Sequence, residues 1–314
     1  MINVALVFGG LSSEREVSIK TSESIRANLI SINELNVFEF DFKENCNELL
    51  KFIEKNNIDV VFNALHGGFG ENGEIQSFFQ DNDIKFTGSD SDCSKIAINK
   101  HLTKQLCVKN SLPTPKWNFY NTSKENLDYK YLLDKYNDSM VIKPACDGSS
   151  MGMSIIQSSL DEKKIIDAII KVNNNSDKVL VEEYIKGREI TVGIIDGIAL
   201  PIVEIIPDGD FYDYDSKYTI GKSKYIVPAK ISEDLEDEIH ECAESLYELI
   251  NCRHYARVDF ILDRDNNFYI LEINTLPGLT QTSLLPKAYA NEFNETIDKS
   301  FKLLVLEIIK LALK

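Results

Sequence analysis

No block of lysine or arginine runs through this chain. Its 34 basic residues stand against 50 acidic ones, a formal net charge of −16 over 314 residues, which argues against nucleic acid as a partner. No apolar run is long enough to span a bilayer, so no membrane partner is expected. The C-terminal FKLLVLEIIKLALK is interrupted by Glu307 and Lys310 and reads as an amphipathic closing helix. Cys46, Cys93, Cys107, Cys146, Cys242 and Cys252 have no CxxC spacing. With no recognisable secretory leader, reduced thiols and a cytoplasmic location are expected. Repeats and low-complexity tracts are missing. So are the two familiar phosphate-binding fingerprints. Gly9-Gly10-Leu11-Ser12-Ser13 is not GxGxxG, and the GKS at Gly221-Lys222-Ser223 has Ser216 where a P-loop needs its upstream glycine. An acidic protein that handles an anion must concentrate its few cations locally, so isolated lysines and arginines in apolar segments carry information.

What is present centres on Tyr255–Pro286, YARVDFILDRDNNFYILEINTLPGLTQTSLLP. Two alternating runs flank Asp265-Asn266, which predicts a hairpin. A two-residue loop there sets Asp259 opposite Glu272 and Arg257 opposite Asn274, all four on one face. Val258, Phe260, Leu271 and Ile273 then form the buried face. Two carboxylates opposed across a ladder repel, and Asp, Glu and an Asn carbonyl are hard oxygen ligands suited to Mg²⁺. A solvated polar face is the plain alternative. Thr275-Leu276-Pro277-Gly278-Leu279 is a sharp exit whose glycine lets backbone N–H groups approach an anion.

Earlier in the chain, Val4–Phe8 reads as a buried parallel strand. A glycine turn and a helix starting near Glu14 follow it, which together make a ligand crevice. Glu14 suits either the helix dipole or an ammonium partner. Strand Val37–Asp41, helix Glu44–Lys55, strand Asp59–Leu65 and strand Ile84–Thr87 continue an α/β alternation. His66 follows the third of these strands and opens HGGFGENGE; a structural and a binding histidine fit it equally. One helix is expected to carry Ile96, Ile98, Leu102 and Leu106, with Lys100 among them. Strands are expected at Trp117–Tyr120, Met140–Lys143, Ser154–Ile156, Lys178–Ile185, Ile190–Ile195 and Ile198–Ile206. Helices are expected near Asn126–Tyr136 and over Ser232–Leu249. Lys143 ends an apolar strand before the Gly/Ser loop Gly148–Gly152, a flap whose N–H groups can cover phosphates. Phe211–Tyr218, FYDYDSKY, reads as a long functional loop.

Seven blocks in this order and spacing resemble the ATP-grasp superfamily, and within it the D-alanine–D-alanine ligases. They are FGGLSSEREVS, HGGFGENGEIQ, VIKPACDGSSMGMS, VLVEEYIKGREITV, FYDYDSKY, ARVDFILD and LEINTLPGLTQTSLLPK. The resemblance covers essentially the whole chain and implies a multi-domain α/β (α+β) fold. A Rossmann-like parallel α/β domain over 1–90 would bind substrate. A central ATP-grasp subdomain over 91–186 and a C-terminal one with the metal site over 187–314 would follow. ATP and two Mg²⁺ ions, or Mn²⁺, are the implied cofactors, and a homodimer the implied assembly.

The same resemblance implies roles for single residues. Lys100 and Lys143 would meet ATP phosphates under a flap carrying Ser149, and Lys217 the γ-phosphate. Glu182, Glu183, Tyr184 and Ile185 would receive adenine between Met153 and Ile261, and Glu189 the ribose. Asp259, Glu272 and Asn274 would hold the metals. Glu14 would bind the ammonium of the first D-alanine, with His66 beside it. Arg257 and the Gly278 N–H would stabilise an oxyanion, and Ser283 and Leu284 would bind the second D-alanine. Tyr218, directed toward Ser149 and Glu14, goes in this family with dipeptide rather than D-lactate products, so D-alanyl-D-alanine is expected and D-alanyl-D-lactate is the alternative. Such dipeptide feeds peptidoglycan precursors. Cys146-Asp147 ahead of the flap and Tyr184, where some members have tryptophan, depart from the common pattern.

Overall fold

β1 (Ile2–Gly9) is buried on both faces, as its apolar run requires. It lies in the middle of a parallel sheet, between β2 (Leu35–Phe42) and β3 (Val60–Asn63). The computed structural model describes residues 1–124, 127–136, 139–148, 151–157, 161–174, 176–209 and 221–314. α1 (Arg15–Leu29) packs Val17, Ile25 and Leu29 inward, and α2 (Cys46–Lys55) packs Leu49 and Ile53. The Asn45 side chain caps α2 by accepting the Glu48 N–H. The strand expected at Ile84–Thr87 is only one parallel bridge, Val61 to Phe86. There the Thr87 hydroxyl receives the Asn63 N–H at 3.0 Å, so a side chain takes the place of the next ladder bond. α3 (Glu74–Asp81) follows the glycine turn.

The single helix expected beyond Ser91 is two, α4 (Ser91–Ile98) and α5 (Lys100–Lys109). Asn99 between them is extended, and its side-chain oxygen accepts the His101 and Leu102 N–H groups. The break rotates the buried face. Cys93, Ala97, Thr103, Lys104 and Cys107 point inward while Leu102 is exposed. β4 (Trp117–Asn121), β5 (Ser139–Pro144), β6 (Ser154–Gln157) and β7 (Lys178–Glu183) form an antiparallel sheet in the order β4-β7-β5-β6. α6 (Tyr129–Tyr136) and α7 (Glu162–Asn173) supply Leu132, Ile165 and Ile169 to a core against Met140, Ile142 and Val181.

The third sheet runs β11-β10-β8-β12-β13, with β9 beside β8. Its strands are β8 (Gly187–Ile195), β9 (Ile198–Ala199), β10 (Val203–Pro207), β11 (Ser223–Ile226), β12 (Tyr255–Asp263) and β13 (Phe268–Asn274). The strand expected over Ile198–Ile206 is split at Pro201, which has no N–H to donate to a ladder. α8 (Glu233–Leu249) packs Leu235, Ile239 and Leu246 against Val192, Val258 and Phe260, and α4 and α5 add Cys93, Ala97 and Cys107 to that core. α9 (Leu284–Glu292) and α10 (Ile297–Leu313) close the chain. α10 returns to the first sheet, where Phe301, Leu304, Val305 and Ile308 share one core with Val4, Leu6, Val60 and Phe62. Among the described residues no helix is long and apolar enough to cross a membrane.

In the central hairpin Arg257 faces Asn274, Val258 faces Ile273 and Asp259 faces Glu272, as the alternation predicts. The loop is not two residues long. The Asp263 N–H bonds the Asn267 carbonyl, and Asn266 takes the left-handed φ of +64°, which Asn tolerates. A compensating bulge lies between Asp259 and Phe260, where Phe260 pairs with Ile270. Leu271 is therefore turned off the buried face and lines a cleft, and Ile270 takes the core place expected of it.

Candidate active site

The polar face of the hairpin brings its two carboxylates together, and each has a cation. Asp259 is gripped by Arg257 through Nε–Oδ1 and Nη2–Oδ2 bonds, both 2.7 Å, and its Oδ1 also accepts the Thr191 hydroxyl at 2.6 Å. Glu272 Oε2 lies 3.1 Å from Lys100 Nζ, which donates to the Asp147 carbonyl at 2.6 Å. Burial works against the charge on Lys100, but the Glu272 carboxylate holds its pKa above the ordinary lysine value. Asn274 Oδ1 accepts the Leu276 N–H at 2.9 Å and so fixes the exit turn. Two carboxylates and an amide oxygen are donors that suit Mg²⁺ or Mn²⁺. Among the described residues no group of three His, Cys, Asp or Glu side chains gathers to hold a metal. A metal at this face would therefore draw its remaining oxygens from its ligand or water.

A cleft opens between the second and third sheets. Lys100, Lys143, Met153, Glu182, Glu183, Tyr184, Ile185, Glu189, Asp259, Ile261 and Glu272 all line it. β7 carries Glu182 outward from its core face because side chains alternate along a strand. The Glu182 carboxylate is nevertheless only 2% exposed. Its Oε2 is 2.9 Å from Lys143 Nζ and its Oε1 3.1 Å from Lys104 Nζ. Burial opposes the charge of Glu182, and the two ammonium groups together hold its carboxyl below the usual carboxylate range. Its side chain is thus engaged by lysines. A base arriving in the cleft would meet the backbone and neighbouring side chains of Glu183–Ile185.

A second cavity, of about 600 Å³, contains Glu14, His66, Arg257, Asn274, Gly278, Ser283 and Leu284 on its walls. Gly148 and Glu272 line both spaces, so the two meet at the end of the hairpin. Glu14 sits at the N-cap position of α1 and is 6% exposed. Gly67, at φ +65°, lets the chain pass it, since a Cβ there would stand 2.5 Å from Glu14 Oε2. The His66 ring bonds the Thr21 hydroxyl at 3.1 Å and the Glu71 carboxylate at 3.3 Å. These contacts hold the ring in the wall, so the structural and the lining role coincide. Ser283 precedes α9 without capping it. Its Oγ accepts the Thr280 N–H at 3.0 Å, which folds the turn after Gly278 back on itself.

Comparison with known proteins now decides the family. The description "D-ala D-ala ligase N-terminus" matches residues 39–89 and "D-ala D-ala ligase C-terminus" matches residues 106–309. The D-alanine–D-alanine ligase of Syntrophotalea carbinolica is 38% identical over 94% of this chain and 92% of its own. That of Carboxydothermus hydrogenoformans is 37% identical over 95% of this chain and 96% of its own. The crystal structure of the Bacillus anthracis D-alanine–D-alanine ligase complexed with ATP superposes with a TM-score of 0.85 at 30% identity, over 100% of this chain and 98% of that one. The chain belongs to the D-alanine–D-alanine ligase family. Its fold is accordingly the ATP-grasp fold, preceded by a parallel α/β unit.

Within this ligase family chain, Glu14 and Lys100 fall outside both matched segments, yet the structure brings them to the same walls as the rest. Ser149, Lys217 and Tyr218 lie outside the described residues, as does most of the loop Phe211–Tyr225, whose last three residues belong to β11. Sequence reasoning passed over Lys104, Thr21 and Glu71. Lys104 had one available signal. It stands four residues after Lys100, a spacing that puts both on one face of a helix.

Proposed function

We propose that this protein joins two D-alanine molecules to D-alanyl-D-alanine at the expense of ATP, through an acyl phosphate, with ADP and phosphate as the other products. The observation that carries the reading is the meeting of two cavities at Glu272 and Gly148, one walled by lysines, the other by Glu14 and Arg257. A carboxylate is a poor acyl donor. Transfer of the γ-phosphoryl group onto the first D-alanine converts it to an acyl phosphate, with Lys100 and Lys143 facing the phosphates. Asp259, Glu272 and Asn274 would hold Mg²⁺, which supplies charge neutralisation for the phosphates. Glu14 pairs with the ammonium of the first D-alanine. The amine of the second, seated near Ser283 and Leu284, attacks the acyl carbon. The tetrahedral oxyanion is met by Arg257 and the Gly278 N–H, and its collapse expels phosphate. Ser149, Tyr218 and Lys217 complete the same reading from the flap and the loop, which exclude water from the acyl phosphate. A homodimer and a place in peptidoglycan precursor supply are part of this family reading, and sedimentation velocity tests the first.

The test is phosphate release from ATP and Mg²⁺ with D-alanine, L-alanine, or D-alanine plus D-lactate, and the product identified by mass. D-alanyl-D-alanine formed only with D-alanine is expected, and Glu272→Ala abolishes turnover. D-alanyl-D-lactate as the main product, or release only with another amino acid, overturns the substrate assignment.

A further inference from the structure

Lys104 is 1% exposed, a lysine among the largest fully buried side chains of the protein. Its Nζ lies 3.1 Å from Glu182 Oε1, donates to Thr114 Oγ1 at 2.8 Å, and stands 5.8 Å from the centre of the Trp117 ring. The Thr114 hydroxyl in turn donates to the Ile270 carbonyl at 2.8 Å. The other oxygen of Glu182 holds Lys143 at 2.9 Å. A continuous polar chain, Lys143–Glu182–Lys104–Thr114–Ile270, therefore runs from the second sheet to the third behind the cleft. Burying three charged groups is costly, and well-packed apolar side chains of similar volume hold two sheets together at least as well. Packing alone gives no reason for these charges.

Charge balance does. Two ammonium groups share one carboxylate, so the cluster carries one net positive charge. Lys143 lines the cleft, whereas Lys104 lies behind it. Without Lys104 the Glu182 carboxylate would cancel Lys143 alone. We propose that Lys104 is a positioning residue for the nucleotide: it holds one oxygen of Glu182 so that Lys143 presents a net positive charge to the phosphates. The inference rests on the reading of the cleft as the ATP site. Burial pushes the Lys104 pKa down to about 8, with Glu182 opposing and Lys143 adding to the shift. The groups facing it are Glu182 on β7, Lys143 on β5, Trp117 on β4 and Cys107 on its own helix, and the Cys107 thiol is pushed up to about 11 by burial and stays neutral at pH 8. The charge of the cluster therefore falls from one to zero as pH rises through about 8.

The experiment is calorimetric titration with Mg²⁺ and adenylyl imidodiphosphate, at pH 7 and 9, of the wild type, Lys104→Met, Glu182→Gln and the double variant. At pH 7 Lys104→Met weakens binding by about 10-fold or more, the effect of one unit charge near a phosphate. The double variant recovers most of that loss, because Lys143 again stands uncompensated. The wild type weakens from pH 7 to pH 9, and Lys104→Met does not. Unchanged affinity in a folded Lys104→Met, or a double variant weaker than either single one, overturns the proposal. So does a wild type whose affinity is flat between the two pH values, a reading that needs no variant to fold. A wild type that binds no nucleotide at either pH overturns the ATP reading beneath it.

Discussion

Arg257 stands clamped on the polar face of the hairpin. Two 2.7 Å bonds to Asp259 leave the guanidinium one orientation, with an edge toward the second cavity. Such pre-set donors act on charge that develops in the transition state without reorganising. Arg257→Lys keeps a positive charge but loses the planar fork. It is expected to lower kcat by about 10²–10³ while the KM for ATP and the melting temperature stay close to wild type. A variant within a few-fold of the wild-type kcat would remove Arg257 from the oxyanion role. The pairing of Asp259 with Glu272 was legible from residue types because a strand has period two, and any even register keeps both on one face. Lys104 was not legible in the same way. A lysine in a helix reads as solvated; its spacing from Lys100 gives it a face, and the tertiary placement of Glu182 shows that face to be buried. The resemblance puts Glu182 in the adenine segment; it lines the cleft, and its carboxylate meets the two lysines.

At the scale of elements, α9 is set on β8 through a glycine. A Cβ on Gly193 would stand 2.6 Å from Leu285 Cδ1, and Leu285 is 1% exposed and has little room to yield. α9 begins directly after Ser283, so its distance from the sheet sets where the second D-alanine would sit. Gly193→Ala is expected to cost about 1–3 kcal/mol by overpacking and to raise the KM for the second D-alanine more than that for ATP. Adding Leu285→Ala makes room for the new methyl group and should restore part of the substrate affinity, even though it removes core volume. Equal rises in both KM values would show that the helix does not carry acceptor specificity. Element boundaries were readable to within two residues where the apolar period ran to the end of the element, as in α2 and α8. They failed where a single polar residue or turn decided the matter. Asn99 cuts one expected helix into two and brings Lys100 to the first position of α5, and no apolar pattern records that. The hairpin loop is one residue longer than its Asp-Asn pair suggested, and the bulge at Leu271 cancels the error from Asp259–Glu272 to Arg257–Asn274.

Over the whole molecule, the chain's end is tied to its beginning. The amphipathic character of α10 was plain in the sequence, but its partner was not, because an apolar stripe does not name the surface it covers. α10 buries its stripe on the first sheet and shares a core with residues of the third. His254 lies on the same seam between the first and third sheets. It has φ +63°, and its Nδ1 accepts the Gly88 N–H at 3.1 Å. Burial, helped by Arg253 and Lys314 and opposed by Asp196, pushes its pKa down to about 4. The folded ring stays neutral where an unfolded histidine, with a pKa near 6.5, takes up a proton. Between about pH 6.5 and pH 4 the unfolded state thus binds more protons, and stability falls as the pH is lowered through that window. The ring is partly exposed, so the loss stays below about 3 kcal/mol. His254→Asn tolerates the left-handed backbone and offers an oxygen to Gly88, but it does not titrate. Urea midpoints measured from pH 7 to pH 4 should fall more steeply for the wild type than for this variant, since all other acid-sensitive groups are common to both. Parallel curves would mean that folding does not depress the His254 pKa, and that the seam between the two sheets is held by its apolar core alone.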